Sequence, residues 1–500
     1  MASTIDTKHF LPLGAVRAVE RTPNGVLLHV GEERFRVDVL RPDLLRLKIS
    51  QAKYFDEEPT HAVVGAPATG APFDLRQEDD LITVQTDRLR LVIRRDAFHL
   101  SAYRADGTVL FEDALAADGS PIGYQQLNDA FVVTRKIGFH DSIYGLGEKT
   151  GPFDRRGRNF TLWNTDVLQP GILEQNRLPE TGLDGKDTSF DPYYASIPFF
   201  YHSRVEKGIV EGATKMAGFF IDNGYRGRFE FESRDIYRYQ FEGGQYTEYL
   251  FAGPDMPAIL DAYTTLTGRM AAPPMWSLGL HQCRFHDYKQ DDILGIGQEY
   301  RERDIPCDVL WLDIDYMNGF RVFTWDTTKF GDVPGMVAQM REQQFRLICI
   351  VDPGVKFESG YPVFEEGYAK NFFCKTDSGK PYVGQVWPGR TVFPDFSREE
   401  VRSWWGELNA RHASVGLAGI WNDMNEPATG DVPPFAMRFD RDGQNHPHER
   451  FHNQYALLMA MATHEGLKTA RPTERPFILT RAGSAGIQRY AAQWTGDNYS

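Results

Sequence analysis

Cysteine is scarce in this sequence and long hydrophobic runs are missing. The four cysteines, Cys283, Cys307, Cys349 and Cys374, include no Cys-x-x-Cys pair. We therefore interpret them as reduced, buried thiols and expect neither a disulfide framework nor a metal site. No segment is apolar for long enough to span a bilayer, and the N-terminus lacks the basic start and apolar core of a signal peptide. We expect a cytoplasmic protein that has no membrane partner.

Cationic residues are outnumbered by acidic ones. Lysine and arginine total 55 against 69 aspartates and glutamates, which gives a formal net charge of −14. Binding to a polyanion requires a concentrated cationic face, and the sequence contains no such cluster. Nucleic acid is therefore excluded as the main partner.

The composition is that of a globular chain with more than one domain. The 500 residues include 41% hydrophobic and 25% charged residues, and there is no low-complexity tract. This length exceeds what a single ordinary core accommodates. The oligomeric state is left open, with a homo-oligomer among the alternatives.

Residues 1–250 are predicted to form an antiparallel β-sandwich. Short alternating runs separated by turn residues recur there, for example at 26–30, after Asn24 and Gly25, and at 89–93. Such runs are typical of strands with one buried face. Residues 159–192 are poor in aliphatic side chains and rich in Gly, Asp, Asn and Pro, which predicts a long functional loop.

Residues 251–500 change to an alternation of strand-like and helical segments. Strand-like runs occur at 276–281, 309–315, 347–352, 419–423, 477–481 and 491–497. Nearly all of them end in a polar residue, as the strands of a (β/α)₈ barrel do at their catalytic end. A doubly wound sheet is the alternative, but it usually has a glycine-rich turn after its first strand, where this chain has His281-Gln282-Cys283-Arg284.

The predicted barrel contains an insertion and is expected to be truncated. Residues 353–396 are too long for a simple loop and are interpreted as an insertion. Only six strands precede the last residue, and eight are needed to close the barrel, so we expect a longer protein. Two helix starts are also predicted: one with proline in its first turn after Asp255, and one with a capping box from Ser397 to Glu400.

Carboxylates dominate the ends of the predicted strands. Residues 419–427, GIWNDMNEP, pass from a buried strand into acids and amides, which makes Asp423 the first candidate for a nucleophile. Cleavage of a glycosidic bond needs one carboxyl that protonates the leaving oxygen and a second that attacks or stabilises the anomeric carbon. No exposed serine or cysteine nucleophile in a recognisable turn competes with this interpretation.

Four segments together resemble glycoside hydrolase family 31. They are the nucleophile segment at 419–427, the pair formed by 481–484 (RAGS) and 494–498 (WTGDN), residues 311–317 (WLDIDYM), and residues 144–148 (YGLGE). The resemblance implies a β-sandwich followed by a barrel and further β-domains. It also implies that Asp423 forms a covalent glycosyl-enzyme and that Asp497 is the general acid and base.

The resemblance further implies a set of substrate-binding and supporting residues. Asp313 is expected to bind a sugar hydroxyl, Arg481 to contact sugar and carboxylates and to hold Asp423 ionised, and Asp166 to reach the sugar from a loop. Trp387 and Trp421 are expected to line the pocket, whereas other tryptophans are more often core. Supporting roles are assigned to Glu426, Asp352, His281 and Asp315, with a satisfied interior histidine and a structural carboxylate as the alternatives for the last two.

Two departures from the family limit what the resemblance implies. A histidine on the last barrel strand of the family has no counterpart here, and Phe285-His286 follows Arg284 where many relatives have other residues.

Asp313 and Asp315 are two residues apart on a predicted strand. Their side chains should therefore point to the same side of that strand.

The predicted function is a retaining, exo-acting α-glucosidase that removes terminal glucose from short α-glucans, with an oligosaccharide as the substrate and no cofactor. A transglucosylase or an α-glucan lyase would share the same intermediate. Two further classes stay open: a non-catalytic carbohydrate-binding protein, and a metal-dependent glycosyltransferase suggested by the Asp-x-Asp pattern at Asp313 and Asp315.

Overall fold

The computed structural model describes residues 5–51, 54–64, 70–167, 191–204 and 215–497. The chain divides by its contacts into two compact units, one formed by Met1–Trp163 and Glu174–Arg269, the other by Asn164–Leu173 and Met270–Ser500. Contacts therefore place residues 251–269 in the first unit, whereas the sequence predicts them in the barrel domain. The domain boundaries at 250 and 251 stay a prediction.

The first unit is built almost entirely of strands. They are β1 (Leu11–Pro12), β2 (Val16–Thr22), β3 (Gly25–Val30), β4 (Glu33–Arg41), β5 (Leu44–Ser50), β6 (Asp74–Gln77), β7 (Leu81–Gln85), β8 (Leu89–Arg94), β9 (Leu100–Arg104), β10 (Val109–Glu112), β11 (Tyr124–Leu127), β12 (Ala130–Lys136), β13 (Ser142–Gly147), β14 (Asn159–Leu162), β15 (Ala195–Arg204), β16 (Lys215–Ile221), β17 (Gly227–Glu230), β18 (Ile236–Phe241) and β19 (Tyr246–Phe251).

These strands form three antiparallel sheets around one apolar core. Their orders are β1-β11-β12-β18-β17-β14, β10-β9-β8-β7-β6 and β13-β15-β16-β19-β5-β4-β3-β2. The predicted strand at 89–93 illustrates how a strand contributes to this core. Leu89, Leu91 and Ile93 are buried, while Arg90 is exposed and Val92 half-buried. This period of two places alternate side chains in the core. The predicted antiparallel β-sandwich is confirmed.

Among the described residues of the first unit there is one helix, α1 (Met256–Thr267). The Asp255 side chain accepts a hydrogen bond from Ala258 N at 2.9 Å, and Pro257 lies in the first turn. The predicted start of this helix is therefore confirmed.

The predicted loop at 159–192 is wrong in part, because Asn159–Leu162 form β14 and pair with β17. Residues 168–190 of that loop lie outside the described residues.

The second unit combines strands and helices. Its strands are β20 (His281–Gln282), β21 (Val309–Leu312), β22 (Arg346–Val351), β23 (Val355–Lys356), β24 (Gly384–Val386), β25 (Gly389–Val392), β26 (Gly419–Asn422), β27 (Arg438–Arg441), β28 (Gln444–Pro447), β29 (Ile478–Thr480), β30 (Gly483–Ser484) and β31 (Ala492–Gln493). Its helices are α2 (Gln290–Glu302), α3 (Val333–Glu342), α4 (Pro362–Ala369), α5 (Glu399–Ala413), α6 (His448–Phe451) and α7 (Tyr455–Ala470).

Six strands of this unit form one parallel sheet in the order β20-β21-β22-β26-β29-β31. The central strands read as continuous apolar runs because both of their faces are buried; all four residues of β21 and β26 are buried. The order follows the chain, as in a barrel, and does not reverse as in a doubly wound sheet. Five of the six predicted strand runs contain a sheet strand over much of their length or, at β31, over two residues. The first prediction, 276–281, is largely wrong, because Met275–Leu278 form a 3₁₀ helix and β20 begins only at His281.

The predicted insertion at 353–396 has structure of its own. It contains α4 and the small antiparallel sheet β23-β25-β24. Near its end, the capping box predicted from Ser397 to Glu400 is wrong. Ser397 Oγ donates to Asp395 Oδ1 at 2.5 Å, and the helix begins after Arg398 with no side-chain cap. The N-cap position therefore falls one residue later than predicted, and Ser397 lies before it with its hydroxyl bonded to an earlier carboxylate.

The cysteines are all free, and three of them are buried as predicted. Cys283 is exposed, which corrects the prediction for that residue. It follows the two-residue strand β20, so it lies on a loop and not in the sheet. Among the described residues, no helix is both long and apolar enough to cross a membrane.

Candidate active site

The carboxyl ends of the parallel strands bring the candidate residues together in the second unit. Val351 of β22 pairs with Asn422 of β26, and Asn422 in turn pairs with Thr480 of β29. The next residues along these strands are Asp352, Asp423 and Arg481. Parallel register therefore places two acids and one cation side by side at a single edge of the sheet.

A cavity of about 620 Å³ opens at this edge. Seven of the predicted site residues line it: Asp166, Asp313, Trp387, Trp421, Asp423, Arg481 and Asp497. The volume lies within the range that holds small ligands. Trp421 is nearly buried, whereas Trp387 is half-exposed at 50% of its surface. The two rings therefore offer one face deep in the cavity and one at its mouth.

Arg481 is the centre of the charge network. Its guanidinium donates two hydrogen bonds to Glu426, from Nε to Oε1 and from Nη2 to Oε2, each at 2.9 Å. A third bond runs from Nη1 to Asp497 Oδ2 at 2.9 Å. The Asp423 Oδ1 atom lies 3.2 Å from Nε, and Asp166 Oδ2 lies 3.6 Å from Nη2. One buried cation thus lies within 3.6 Å of four carboxylates and hydrogen-bonds to two of them.

The Oδ1 atom of Asp423 is in close contact with Arg481 but forms no hydrogen bond with it. Among the described residues, no donor makes a hydrogen bond to Asp423 Oδ1, because the 3.2 Å contact lacks hydrogen-bond geometry. The bidentate bond to Glu426 occupies the same Nε atom. An oxygen that is close to a cation and still unbonded is well suited to attack an electrophile.

Burial governs the proton affinities of this cluster. It raises the pKa of Asp423 well above its ordinary value, an effect that Arg481 opposes and that Asp352, Asp497 and Glu426 reinforce. Burial likewise raises the pKa of Asp352 to about 7, with Arg481 opposing it. The expectation from the sequence that Arg481 holds Asp423 ionised has the direction of the Arg481 effect right, but burial has the larger effect on this pKa.

Asp313 and Asp315 do not share one face of a strand, which corrects that prediction. The strand β21 ends at Leu312, and a 3₁₀ turn over Ile314–Tyr316 follows. Asp313 caps this turn, since its Oδ1 accepts from Ile314 N at 2.7 Å, and it lines the cavity. Asp315 lies within the turn and does not line the cavity. Alternation of side chains no longer applies once the backbone leaves the extended conformation.

The remaining supporting residues lie behind the cavity wall. Glu426 is buried against Arg481, and Asp352 is buried beneath the same edge. His281 is half-buried and packs its ring 5.7 Å from that of Trp311. Burial lowers its pKa, so the ring is neutral at ordinary pH. None of these three residues lines the cavity.

Several residues that shape the site were not predicted from the sequence. The cavity is also lined by Phe285, Ile314, Ile350, Gln385, Val386, Met424, Ala428 and Gly430. Asn425, two residues after the candidate nucleophile, joins two strand ends: its Nδ2 donates to Thr480 Oγ1 at 2.9 Å and its Oδ1 accepts from Ala482 N at 3.0 Å. A buried amide in a loop between two acids is the signal that would have pointed to it.

Two family models match the chain. Residues 270–500 match the glycosyl hydrolases family 31 TIM-barrel domain, and residues 34–230 match the glycosyl hydrolase 31 N-terminal galactose mutarotase-like domain. Together the models confirm the predicted architecture of a β-sandwich followed by a barrel domain. The candidate active site lies entirely within the part that matches the barrel model, except for Asp166.

Similar proteins carry related descriptions. The chain is 36% identical over 504 residues to alpha-glucosidase 2 of Bacillus thermoamyloliquefaciens, covering 98% of this chain and 59% of the relative. It is 33% identical to an alpha-glucosidase of Saccharolobus solfataricus, covering 75% of this chain and 54% of the relative. The chain therefore spans a little over half the length of these relatives.

Solved structures are also similar to this chain. The family 31 dextranase of Flavobacterium johnsoniae, solved in complex with isomaltotriose, aligns with a TM-score of 0.85 at 27% identity, covering 97% of this chain and 56% of the dextranase. The glucosidase II alpha subunit aligns with a TM-score of 0.81 at 23% identity over 99% of this chain and 60% of its own, which shows the same fold. From its two domain models and its relatives, this chain belongs to glycosyl hydrolase family 31.

Proposed function

We propose that this protein is a retaining, exo-acting α-glucosidase that releases terminal glucose from short α-glucans. The observation that carries the proposal is the arrangement of Asp423 and Asp497 around one cavity, both in contact with Arg481. Two carboxyl groups at one sugar-sized cavity are what glycosidic bond cleavage requires. The relatives described as alpha-glucosidases support the choice of substrate. The cytoplasmic location is part of the same proposal.

The two carboxyl groups have distinct roles in the proposed mechanism. An oxygen of Asp423 attacks the anomeric carbon while Asp497 gives its proton to the leaving oxygen, so that the glycosidic bond breaks as an ester bond forms. Asp497 then takes a proton from water, the water oxygen attacks the anomeric carbon, and the ester bond breaks. Two inversions return the original α configuration.

The environments of the two residues suit these roles. The Asp423 side chain is about 10% exposed. A buried carboxylate is poorly hydrated and attacks without first shedding water. Arg481 contacts both residues, with Nε 3.2 Å from Asp423 Oδ1 and a hydrogen bond from Nη1 to Asp497 Oδ2, so that one cation lies beside the nucleophile and the acid.

Product analysis on maltotriose distinguishes the proposed function from its alternatives. An exo-acting hydrolase releases glucose and maltose in equal amounts at the earliest times. A transglucosylase forms longer oligosaccharides, and a lyase forms a dehydrated sugar in place of glucose. The dextranase similarity makes isomaltotriose the second substrate to compare. A protein that binds maltotriose with no turnover would contradict the proposal and favour a carbohydrate-binding protein.

The acid limb of the pH profile should report the raised pKa of Asp423. Because the nucleophile must be ionised, kcat/KM should fall below a pH that lies above the ordinary aspartate value of about 3.9. Asp352→Asn removes a carboxyl that raises the pKa of Asp423. The limb should therefore move to lower pH, by up to roughly one unit. Asp304→Asn is the matched control, since Asp304 is exposed and asparagine tolerates its left-handed backbone. A limb that moves to higher pH, or that moves equally in the control, would contradict this account.

Trp387 should contribute to substrate binding more than to the chemical step. Its half-exposed ring forms the mouth of the cavity beside Phe285, with the ring centroids 5.9 Å apart. Trp387→Ala should raise KM for maltose by roughly tenfold, the loss expected for one aromatic contact of about 1.4 kcal/mol. The kcat should change little because the ring offers the sugar an apolar face and supplies neither a proton nor a nucleophile. Steady-state kinetics test this, and a fall in kcat at constant KM would contradict it.

A further inference from the structure

A polar cluster outside the cavity wall is not used by the proposed mechanism. It consists of His448, His452 and Asn453, which precede helix α7, together with Asn164. All four residues are at least nine-tenths buried. Asn164 lies two residues before Asp166, and both belong to the second unit. Burying a polar group costs free energy unless the group forms hydrogen bonds. The hydrogen bonds of these four residues therefore indicate what the cluster does.

Two backbone groups of Asn164 are engaged by this cluster. Asn164 N donates to Asn453 Oδ1 at 2.8 Å, and the carbonyl oxygen of Asn164 accepts from His452 Nε2 at 2.7 Å. The Asn164 side chain adds a longer bond from Nδ2 to Asn453 O at 3.4 Å. The segment is thus held by its main chain, on both its donor and its acceptor side.

The two histidines form a directional chain that supports this contact. A carbonyl oxygen only accepts, so His452 Nε2 must carry a hydrogen. In the neutral ring Nδ1 is then an acceptor, and His448 Nε2 donates to it at 2.7 Å. Burial lowers the pKa of His448 to about 3, so this ring stays neutral at ordinary pH. The carbonyl of Asn164 thus fixes the tautomer of His452, and this tautomer makes His448 Nε2 the donor to His452 Nδ1.

The clamp formed by these contacts acts on a residue of the active site. Asp166 follows Asn164 by two residues, lines the cavity, and places its Oδ2 atom 3.6 Å from Arg481 Nη2. Asp166 is not part of a helix or strand that could hold it in place. The main chain of Asn164, two residues earlier, is held by Asn453 and His452, so these contacts help to set where Asp166 enters the cavity.

We propose that His452 and Asn453 are positioning residues that set the carboxylate of Asp166 against Arg481 and the bound sugar, by clamping the main chain of Asn164. The substrate part of this inference rests on the proposed function. The clamp itself does not, because it concerns contacts within the protein. The two parts are therefore tested by separate measurements.

Hydrogen exchange tests the clamp without any substrate. In Asn453→Ala the amide of Asn164 loses its acceptor. Its hydrogen exchange should become at least about tenfold faster, while the thermal stability of the protein stays unchanged. Asn445→Ala, on the exposed strand β28 of the same unit, is the matched control and should leave the amide unchanged. Unaltered exchange of Asn164 in Asn453→Ala would overturn the clamp, whether or not the protein is active.

A double-mutant cycle tests the action through Asp166. Asn453→Ala should lower kcat/KM for maltose by roughly 3- to 10-fold, the loss expected for one or two hydrogen bonds. In the Asp166→Ala background the same substitution should change kcat/KM by less than about twofold, because its effect passes through the missing carboxylate. His452→Gln keeps a donor and should retain more activity than His452→Ala. Equal effects of Asn453→Ala in both backgrounds would show a general structural role and would overturn the inference.

Discussion

Replacing Asp423 with asparagine should reduce kcat for maltose by at least about 10⁴-fold, while the protein stays folded. The amide has nearly the same shape, but it cannot attack the anomeric carbon or stabilise positive charge on the sugar ring. Asparagine also removes one buried negative charge next to Asp352, Glu426 and Asp497, so no loss of stability is expected from charge repulsion. Initial rates with a sensitive glucose assay, together with a thermal unfolding curve, measure both effects.

The control and a rescue experiment make this prediction specific to Asp423. Asp291→Asn, an exposed carboxylate on α2, should leave kcat within about twofold. In Asp423→Ala, added azide can occupy the vacated space and attack an activated α-glucoside directly. A single inversion then gives the β-glucosyl azide. An Asp423→Asn variant with more than a tenth of the original kcat would remove Asp423 from the proposed role.

Replacing Arg481 with methionine should destabilise the protein by about 3–5 kcal/mol at neutral pH. The side chain is 3% exposed and contacts Glu426, Asp423, Asp497 and Asp166. Methionine preserves much of the volume but leaves buried carboxylates that have no cation to balance them. Activity should also fall strongly, since the removal of the cation raises the pKa of Asp423 still further. Urea unfolding at pH 8 measures the change in free energy of unfolding.

The destabilisation by Arg481→Met should shrink as the pH falls. Burial already raises the pKa of Asp423, Asp352 and Glu426, and loss of the cation raises these values further. Carboxyl groups with raised folded pKa values are protonated before those of the unfolded chain, so the folded state gains stability as the pH decreases through those values. The deficit at pH 5 should therefore be smaller than at pH 8.

A second arginine supplies the comparison. Arg303 forms an exposed ion pair with Glu299 on the surface of the same unit, with side-chain exposures of 69% and 58%. Arg303→Met should change the free energy of unfolding by no more than about 0.5 kcal/mol at either pH. If Arg481→Met were no more destabilising than Arg303→Met, the buried charge network would not have the importance that its geometry suggests.

The sequence predicts the placement of the site better than its internal contacts. A chain that alternates strands and helices must bring its strand ends to one edge, and so the acids after β21, β22 and β26 can be grouped from the sequence alone. The partners of Arg481 cannot be predicted in the same way. Its bidentate partner is Glu426, which lies three residues after Asp423 on the following loop, and loop geometry is not set by strand periodicity.

Two of the wrong predictions have the same physical origin. The capping box at Ser397 and the shared face of Asp313 and Asp315 were both inferred from local spacing, and in each case a side chain made a competing hydrogen bond nearby. Asp395 takes the Ser397 hydroxyl, and Asp313 caps a turn that ends β21. Short polar side chains offer the backbone an alternative to regular structure, which spacing alone does not reveal. The clamp at Asn164 was missed for another reason. His452 and Asn453 follow Asn164 by 288 and 289 residues in the sequence, and local spacing does not reveal such a distant contact.

The most direct test of the proposed mechanism is the configuration of the first glucose released. Proton NMR of maltose with the protein, recorded before mutarotation, should show α-glucose appearing first at the rate of hydrolysis, and Asp423→Asn should show none. This outcome is required by attack of Asp423 followed by attack of water on the opposite face. Early β-glucose from the unmodified protein would mean a single inversion and would contradict the covalent role of Asp423.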